Sequence, residues 1–291
     1  MENWGRLITA MVTPFDEELN VDYNGAIELA KKLESEGTTA LVITGTTGEA
    51  PTLTMEEKSN LYRLIKKKVE IPVIAGVGTN STIDTINNAR EAKNSGADGL
   101  LIVTPYYNKP DQDSLYSHFK AIAETTDLPI MLYNVPGRTG CNMLPETVLK
   151  LSRIKNIVAL KEASGNIVQF SEIVKIVDKD FLVYSGDDSL TLPALAVGGY
   201  GVVSVSSHIV GTEMEKMIDA YLAGNISLAS EIHLKLLDIF NKLFIVANPI
   251  PVKAALNIMD INVGGLRLPL TPAKSDIVDI LRKELKILAL I

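Results

Sequence analysis

Short apolar runs alternate with amphipathic stretches along most of this 291-residue chain, and this alternation constrains the fold more than any other feature. Eight runs are predicted to be β-strands, at residues 7–12, 40–44, 73–76, 99–103, 130–133, 157–161, 181–185 and 201–205. Runs such as GLLIV and IVALK are apolar without strict alternation, as expected of parallel strands that are covered on both faces. The pattern therefore predicts an α/β fold built on a parallel sheet.

The stretches between the strands carry helix signals. After the first strand, apolar residues recur at helical spacing over residues 26–33 and stop before Gly37, a common residue at a helix C-terminus. Thr54 and Glu57 have the spacing of a capping box, and Ser81 is a suitable N-cap for the next helix. Helices are therefore predicted between successive strands.

The sheet is predicted to close into a barrel. An open doubly wound sheet would normally carry a glycine-rich phosphate turn after its first strand, whereas this turn reads TPFDEEL. A (β/α)8 TIM barrel is therefore favoured over residues 1–225. Beyond residue 225 the pattern is helical only, at 226–246, 251–259 and 273–289, which predicts a small C-terminal helical domain over residues 226–291.

Composition excludes several classes of partner. The net charge is -7, and the chain has no long basic run, so neither nucleic acid nor an anionic membrane is an expected partner. A single cysteine, Cys141, cannot form an internal disulfide and suggests a reducing compartment, so a cytoplasmic location is expected. The N-terminus, acidic at Glu2, lacks the pattern of a signal peptide, and no apolar run is long enough to span a membrane. A small-molecule partner is expected.

Reactive side chains follow several of the predicted strands. In a barrel of this kind the active site lies at the C-terminal ends of the strands. The second, fourth, fifth, sixth and seventh strands are followed by residues 44–49, 104–108, 133–138, 161–162 and 185–188, which are rich in hydroxyl, amide and charged groups. These strand ends are the predicted site.

Lys161 is the candidate nucleophile. It directly follows the apolar run 157–160, so it is expected in a partly desolvated barrel mouth that favours the neutral amine. A neutral amine is what Schiff-base chemistry requires. The alternative interpretation is a lysine that extends from a strand end to water, but the reactive groups predicted on neighbouring strand ends favour catalysis.

Other strand-end residues suit a carbonyl substrate that carries a carboxylate. Tyr133 could relay protons, although it could instead be an aromatic cap on the barrel core. Thr46 and Thr47 lie in a glycine-flanked turn whose N–H groups could hold a carboxylate. Arg138 offers a fork suited to a substrate carboxylate, although an exposed loop arginine is often only solvated.

A metal site is not expected. The three histidines have no mutual metal-ligand spacing and are expected at the surface or in the core, at positions 118, 208 and 233. Asp187 and Asp188 are interpreted as a cap for the following helix rather than as cation ligands. Cys141 has no evident activating partner and is expected to be a small buried residue.

Five segments, in this order along the chain, resemble the dihydrodipicolinate synthase family: GTTGE at 45–49, TPYYN at 104–108, YNVPGRTG at 133–140, LKEASGN at 160–166 and NPIPVKAAL at 248–256. The resemblance spans both predicted domains. It implies a class I aldolase-type lyase that joins pyruvate to L-aspartate 4-semialdehyde, giving 4-hydroxy-tetrahydrodipicolinate on the route to diaminopimelate and lysine. It implies no metal or organic cofactor.

The resemblance also implies roles for individual residues. Lys161 would form the Schiff base, and the proton relay would consist of Thr46, Tyr107 and Tyr133. Thr46 and Thr47 would hold the pyruvate carboxylate, and Arg138 would receive the semialdehyde carboxylate. The backbone at Gly186 and Val203 would line the pyruvate pocket. The family's Tyr107 equivalent reaches into a neighbouring subunit's site, so the resemblance implies an obligatory dimer, usually within a homotetramer that is a dimer of dimers.

Two alternatives remain at this point. One is another member of the same superfamily, such as N-acetylneuraminate lyase or a 2-oxo acid aldolase, against which Arg138 and the Tyr106–Tyr107 pair argue. The other is a pyruvate-binding or regulatory module without turnover, because a fold by itself does not prove activity.

Regulation by lysine is expected to be weak or absent. In many members of the family lysine binds at the dimer interface, and Asn80 and Tyr106 look like retained contacts. Asp84 stands in place of a glutamate that is one methylene longer, and Ala50 stands in place of a serine, which removes a hydroxyl. Lys58 would place a positive charge near the cationic ligand.

Overall fold

The computed structural model describes residues 4–291. Eight parallel strands, each hydrogen-bonded to the next and the last to the first, form a closed barrel. The strands are β1 (Leu7–Ala10), β2 (Ala40–Ile43), β3 (Val73–Gly76), β4 (Gly99–Val103), β5 (Ile130–Asn134), β6 (Ile157–Glu162), β7 (Leu182–Ser185) and β8 (Gly201–Ser204). The (β/α)8 fold predicted from the alternation is confirmed.

Helices fill the outer layer. They are α1 (Tyr23–Ser35), α2 (Met55–Lys66), α3 (Thr82–Asn94), α4 (Gln112–Ala123), α5 (Pro136–Thr139), α6 (Pro145–Ser152), α7 (Ile167–Ile176), α8 (Thr191–Ala196) and α9 (Ser207–Leu222). The capping box at Thr54 and Glu57 is present with both of its hydrogen bonds, and Ser81 caps α3. Gly37 has φ +94°, the left-handed conformation that ends α1.

The strand boundaries lie within two residues of the predicted ones, and those of β3 and β4 coincide with them. β1 ends at Ala10 rather than at residue 12, and β2 ends at Ile43 because Thr44 adopts φ +55° and turns the chain out of the sheet. β6 instead extends by one residue, to Glu162. These turns begin the loops that carry the predicted site.

The barrel has two separate apolar cores. One lies inside the strands and includes Ile8, Val42, Met131 and Val203, and the other lies between the strands and the helices. Since side chains alternate across each strand, neighbouring residues in one strand face different cores. Strand register decides which side chains meet inside.

The chain ends in three helices, α10 (Ile226–Lys242), α11 (Ile250–Ile258) and α12 (Ser275–Ile287). The first was predicted to reach residue 246 but ends at Lys242, and the other two match their predicted ranges within two residues. α10 packs along α9 of the barrel, and α11 contacts α9 and α12. The division into two domains at residue 225 stays a prediction.

None of the helices within residues 4–291 combines the length and apolar character needed to cross a membrane. Glu2, on which the prediction of no signal peptide partly depended, lies outside the described residues. That prediction stays untested.

Candidate active site

Lys161 and Tyr133 lie side by side at the C-terminal end of the barrel. They are register partners on β6 and β5, and Nζ of Lys161 lies 4.5 Å from the centroid of the Tyr133 ring. Lys161 is only 5% exposed, so the interpretation of a lysine that extends to water is wrong. Adjacent strand ends in register therefore place an amine against a phenol.

Burial lowers the pKa of Lys161 to about 8; the charge of Asp188 opposes that shift, and the charge of Arg138 adds to it. With this pKa about a tenth of the amines are neutral near pH 7, against fewer than roughly one in a thousand at the ordinary pKa. The amine at this position is suited to nucleophilic attack on a carbonyl carbon.

Gly186 leaves room for the Lys161 side chain. A Cβ at this position would lie 2.9 Å from Cε of Lys161 and 2.6 Å from Cβ of Ala163, which is closer than carbon atoms pack. Val203 is a buried residue of β8 within the inner core. A larger residue at 186 would displace the Lys161 side chain. Glycine is therefore required here for steric reasons, in addition to the predicted role of its backbone in lining the pocket.

Thr46 and Tyr133 are brought together across the barrel mouth. Burial raises the pKa of the Tyr133 phenol, while the Arg138 charge and a hydrogen bond with the Thr46 side chain act in the opposite direction. The loop that carries Thr46 is held at its start by Thr44, whose hydroxyl bonds to the Tyr62 hydroxyl and donates to the Gly76 carbonyl at 3.2 Å. A threonine and a tyrosine in this arrangement can pass a proton between them.

Thr47 and Arg138 both contact Asn248, a residue that was noted only as part of a motif. Asn248 Nδ2 donates to Thr47 Oγ1 at 2.9 Å, and Arg138 Nη2 donates to the Asn248 carbonyl at 3.3 Å. Arg138 is exposed in α5 and lines a cavity of about 390 Å³ together with Thr46 and Tyr133. The guanidinium is therefore placed at the entrance of this cavity.

Tyr107 is the predicted relay residue that a single chain does not bring to the site. Its ring is 88% exposed and lies outside the lining of the cavity, and its backbone has φ +75°. The Tyr107 N–H donates to the Thr139 carbonyl at 3.3 Å, which holds the loop while the ring faces solvent. Within one chain Tyr107 is thus apart from Thr46 and Tyr133.

The structure brings two of the four predicted regulatory residues to one cavity and leaves the other two outside its lining. Ala50 and Tyr106 line the same cavity as Arg138, and Lys58 lies there too, with a pKa that burial lowers. Asn80 accepts a hydrogen bond from Asn108 Nδ2 through its carbonyl, at 2.8 Å. Asp84 is exposed on the first turn of α3.

The prediction that both Asp187 and Asp188 cap a helix is right for the first and wrong for the second. Asp187 caps the short 3₁₀ turn 188–190 by accepting from the Ser189 N–H. Asp188 is buried, and its Oδ2 accepts from two main-chain N–H groups and the Ser206 hydroxyl in the turn after β8. The side chain of Asp188 points into the protein, so its carboxylate bonds to the loop after β8 and does not cap the helix.

No group of three or more metal-ligating side chains occurs in the described part of the chain. His208 lies in the core, where Nε2 accepts from the Val12 N–H and Nδ1 bonds to the Val205 carbonyl. His118 is buried and pairs with Thr82, whereas His233 is half-buried. Cys141 is buried, as predicted.

A buried ion pair beneath the site was not predicted. Lys253 Nζ donates to Glu49 Oε1 at 2.9 Å and to the Gly265 carbonyl at 2.6 Å, and both charged side chains are 1% exposed. Glu49 ends the loop that carries Thr46 and Thr47, and its Oε2 accepts from the Arg267 N–H at 3.0 Å. A glutamate after a glycine turn and a lysine inside an apolar helix were the available sequence signals.

The closed barrel, with a buried lysine near the end of β6, has the architecture of (β/α)8-barrel enzymes, whose active sites lie at the C-terminal ends of the strands. The model of the dihydrodipicolinate synthetase family matches residues 3–288, and the chain belongs to this family. A 4-hydroxy-tetrahydrodipicolinate synthase from Heliobacterium modesticaldum is 55% identical over 96% of this chain and 94% of its own length.

Solved structures agree with this assignment. A dihydrodipicolinate synthase from Bacillus anthracis is 48% identical and superposes with a TM-score of 0.96 over 98% of this chain and 99% of its own. The Cyanidioschyzon merolae enzyme with lysine bound is 48% identical, with a TM-score of 0.97 over 99% of both chains. The predicted family is confirmed.

Proposed function

We propose that this chain condenses pyruvate with L-aspartate 4-semialdehyde through a Schiff base on Lys161. The product is 4-hydroxy-tetrahydrodipicolinate, and the reaction belongs to lysine and diaminopimelate biosynthesis. Support comes from relatives named 4-hydroxy-tetrahydrodipicolinate synthase, such as the one that aligns with 96% of this chain, and from the family model that matches residues 3–288. The observation that carries the mechanism is the buried Lys161 amine, with its lowered pKa, beside the Tyr133 phenol.

The neutral amine of Lys161 adds to the ketone carbon of pyruvate, and the resulting carbinolamine loses water to give an iminium. Loss of a methyl proton then gives an enamine, whose carbon attacks the aldehyde of the second substrate, and the aldehyde oxygen takes up a proton. The amino group of the semialdehyde then adds to the regenerated iminium carbon and displaces Lys161, which closes the ring and releases the product with the lysine amine restored. Thr46, Tyr133 and Tyr107 of a neighbouring subunit pass the protons that these steps release and consume. The iminium supplies the electron sink, so the proposal requires neither a metal nor an organic cofactor.

The remaining predicted residues hold the two substrates. Thr47 and the adjacent loop N–H groups take the pyruvate carboxylate, and Gly186 and Val203 border the pocket in which the adduct lies. Arg138, at the entrance, takes the carboxylate of the semialdehyde. We further propose that a second subunit completes the site, within a homotetramer like that of the family, because Tyr107 is exposed and apart from the residues it would assist. A cytoplasmic location is proposed from the single cysteine.

Borohydride reduction tests the proposal. The protein is incubated with pyruvate and borohydride, and the adduct is located by mass spectrometry; a reduced adduct on Lys161 is expected. Condensation of pyruvate with aspartate 4-semialdehyde is then assayed by product formation, and cleavage of N-acetylneuraminate is assayed separately. An adduct on another lysine contradicts the mechanism, and a preference for N-acetylneuraminate identifies the other member of the superfamily.

Arg138→Ala is expected to weaken use of the semialdehyde far more than binding of pyruvate. Loss of a charged hydrogen bond costs about 1.5–3 kcal/mol, or roughly a tenfold to hundredfold fall in kcat/KM for the semialdehyde. Steady-state kinetics with each substrate varied in turn measure this. Equal losses for both substrates would show that Arg138 does not act on the semialdehyde alone.

Tyr107 is expected to act in trans. Tyr107→Phe and Lys161→Ala are each expected to be nearly inactive, whereas mixed oligomers should regain part of the wild-type activity. Some sites in such oligomers combine an intact Lys161 with a neighbour's intact Tyr107. Subunit exchange is followed by native mass spectrometry and activity by product formation. Mixed oligomers that form but stay inactive would remove the support for a shared site.

Lysine is expected to inhibit weakly or not at all. Asp84 is exposed on α3 with a carboxylate one methylene short of the glutamate it replaces, and Ala50 offers no hydroxyl. Titration of lysine into a steady-state assay at saturating pyruvate measures the effect. Half-inhibition at sub-millimolar lysine would show that Asn80 and Tyr106 suffice for binding.

A further inference from the structure

Asn248 joins the two groups that would hold the two substrates. Its side-chain Nδ2 donates to Thr47 Oγ1, and its main-chain carbonyl accepts from Arg138 Nη2. Thr47 follows β2 and Arg138 follows β5, whereas Asn248 precedes α11. One residue of the C-terminal segment therefore links two loops that come from different parts of the barrel mouth.

Stability alone does not explain an asparagine at this position. Asn248 is buried, and its Oδ1 has no hydrogen-bond partner among residues 4–291. Burial of an amide oxygen without a partner costs free energy, which a small apolar residue would avoid. The contact between the amide nitrogen and Thr47 gives a functional reason for this residue type.

The same C-terminal segment holds the loop at a second point. Glu49, two residues after Thr47, accepts from Lys253 Nζ at 2.9 Å and from the Arg267 N–H at 3.0 Å. These contacts fix the end of the loop, so the Asn248 bond acts on a Thr47 whose surroundings are already held. A change at Asn248 is therefore expected to shift Thr47 and not to release the whole loop.

We infer that Asn248 is a positioning residue that sets Thr47 and Arg138 relative to each other. It thereby sets the separation between the pyruvate carboxylate and the carboxylate of the incoming semialdehyde; this rests on the function proposed above. Displacement of a substrate by about 1 Å can lower a rate by on the order of a hundredfold, even when the altered residue is remote from the reacting atoms. Asn248 thus affects both substrates without touching the reacting carbons.

A pair of double-mutant cycles tests the inference. Asn248→Ala is combined with Thr47→Val and with Arg138→Ala, and kcat and KM are measured for each substrate. We expect Asn248→Ala to raise the pyruvate KM about fivefold, because alanine lacks the amide that holds Thr47. The main-chain carbonyl still accepts from Arg138 Nη2 in this variant, so kcat/KM for the semialdehyde should fall only about threefold, through the changed position of Thr47. The effect on pyruvate should vanish in the Thr47→Val background and persist in the Arg138→Ala background, because the side chain of Asn248 contacts Thr47 and its main chain contacts Arg138.

Asn156→Ala is the matched control. Its Nδ2 donates to the carbonyls of Ala123 and Thr126, at 3.0 and 2.9 Å, just before β6 at the opposite end of the barrel. We expect this variant to keep wild-type kinetics, whatever its unfolding midpoint.

Wild-type kinetics in Asn248→Ala, or effects that are additive in both backgrounds, would overturn the inference. If Asn248→Ala does not fold, Asn248→Ser, which is too short to reach Thr47, takes its place in both cycles. Failure of the proposed function is seen separately, because the wild-type protein would then form no pyruvate adduct on Lys161.

Discussion

Lys161→Arg is expected to lower turnover by on the order of a thousandfold or more, because a permanently charged guanidinium cannot attack a ketone. No reduced pyruvate adduct should form in this variant. Lys155→Arg is the matched control, since Lys155 is exposed just before β6, at the far end from the site. Substantial residual turnover in Lys161→Arg would count against covalent catalysis.

The same lysine is expected to control the pH dependence of adduct formation. Because its pKa is lowered to about 8, the neutral fraction rises as the pH passes upward through about 8 and levels off above that value. The rate of borohydride-trapped adduct formation, measured from about pH 6 to about pH 10, should follow this curve. A rate that keeps rising toward the ordinary lysine pKa would show that burial does not shift the amine.

Lys253→Met is expected to lower the free energy of unfolding more than any other single variant proposed above, because it leaves the buried carboxylate of Glu49 without its ion-pair partner. Breaking a buried pair in this way costs about 3–5 kcal/mol. We expect about 3 kcal/mol, since the Arg267 N–H still donates to Glu49. Chemical denaturation at fixed protein concentration measures the change.

The double variant Glu49→Gln with Lys253→Met separates this cause from simple loss of packing. Removal of both charges takes away the uncompensated carboxylate, so the double variant should be more stable than Lys253→Met alone. The amide introduced by Glu49→Gln would also retain an oxygen for the Arg267 N–H. A double variant that is less stable than Lys253→Met would show that the charge of Glu49 was not the source of the loss.

The sequence by itself determined the barrel and the position of the candidate nucleophile, Lys161, at its mouth. Strands and helices follow from periodicities within about ten residues, and the boundary signals at Gly37, Thr54 and Ser81 are equally local. Lys161 was predicted at this rim because parallel strands in a barrel all end on the same side, so a lysine that directly follows an apolar run is expected at the mouth.

Tertiary structure decided the contacts that hold the site. Asn248 bonds to Thr47 across 201 residues and Lys253 to Glu49 across 204, and no local pattern specifies which side chains will meet at such separations. Asp188 likewise faced inward, because the turn after β8 offered it three donors. Local periodicity sets where each element begins and ends, whereas the pairing of buried polar groups depends on how distant elements pack, since each such group must find its partner in the folded chain.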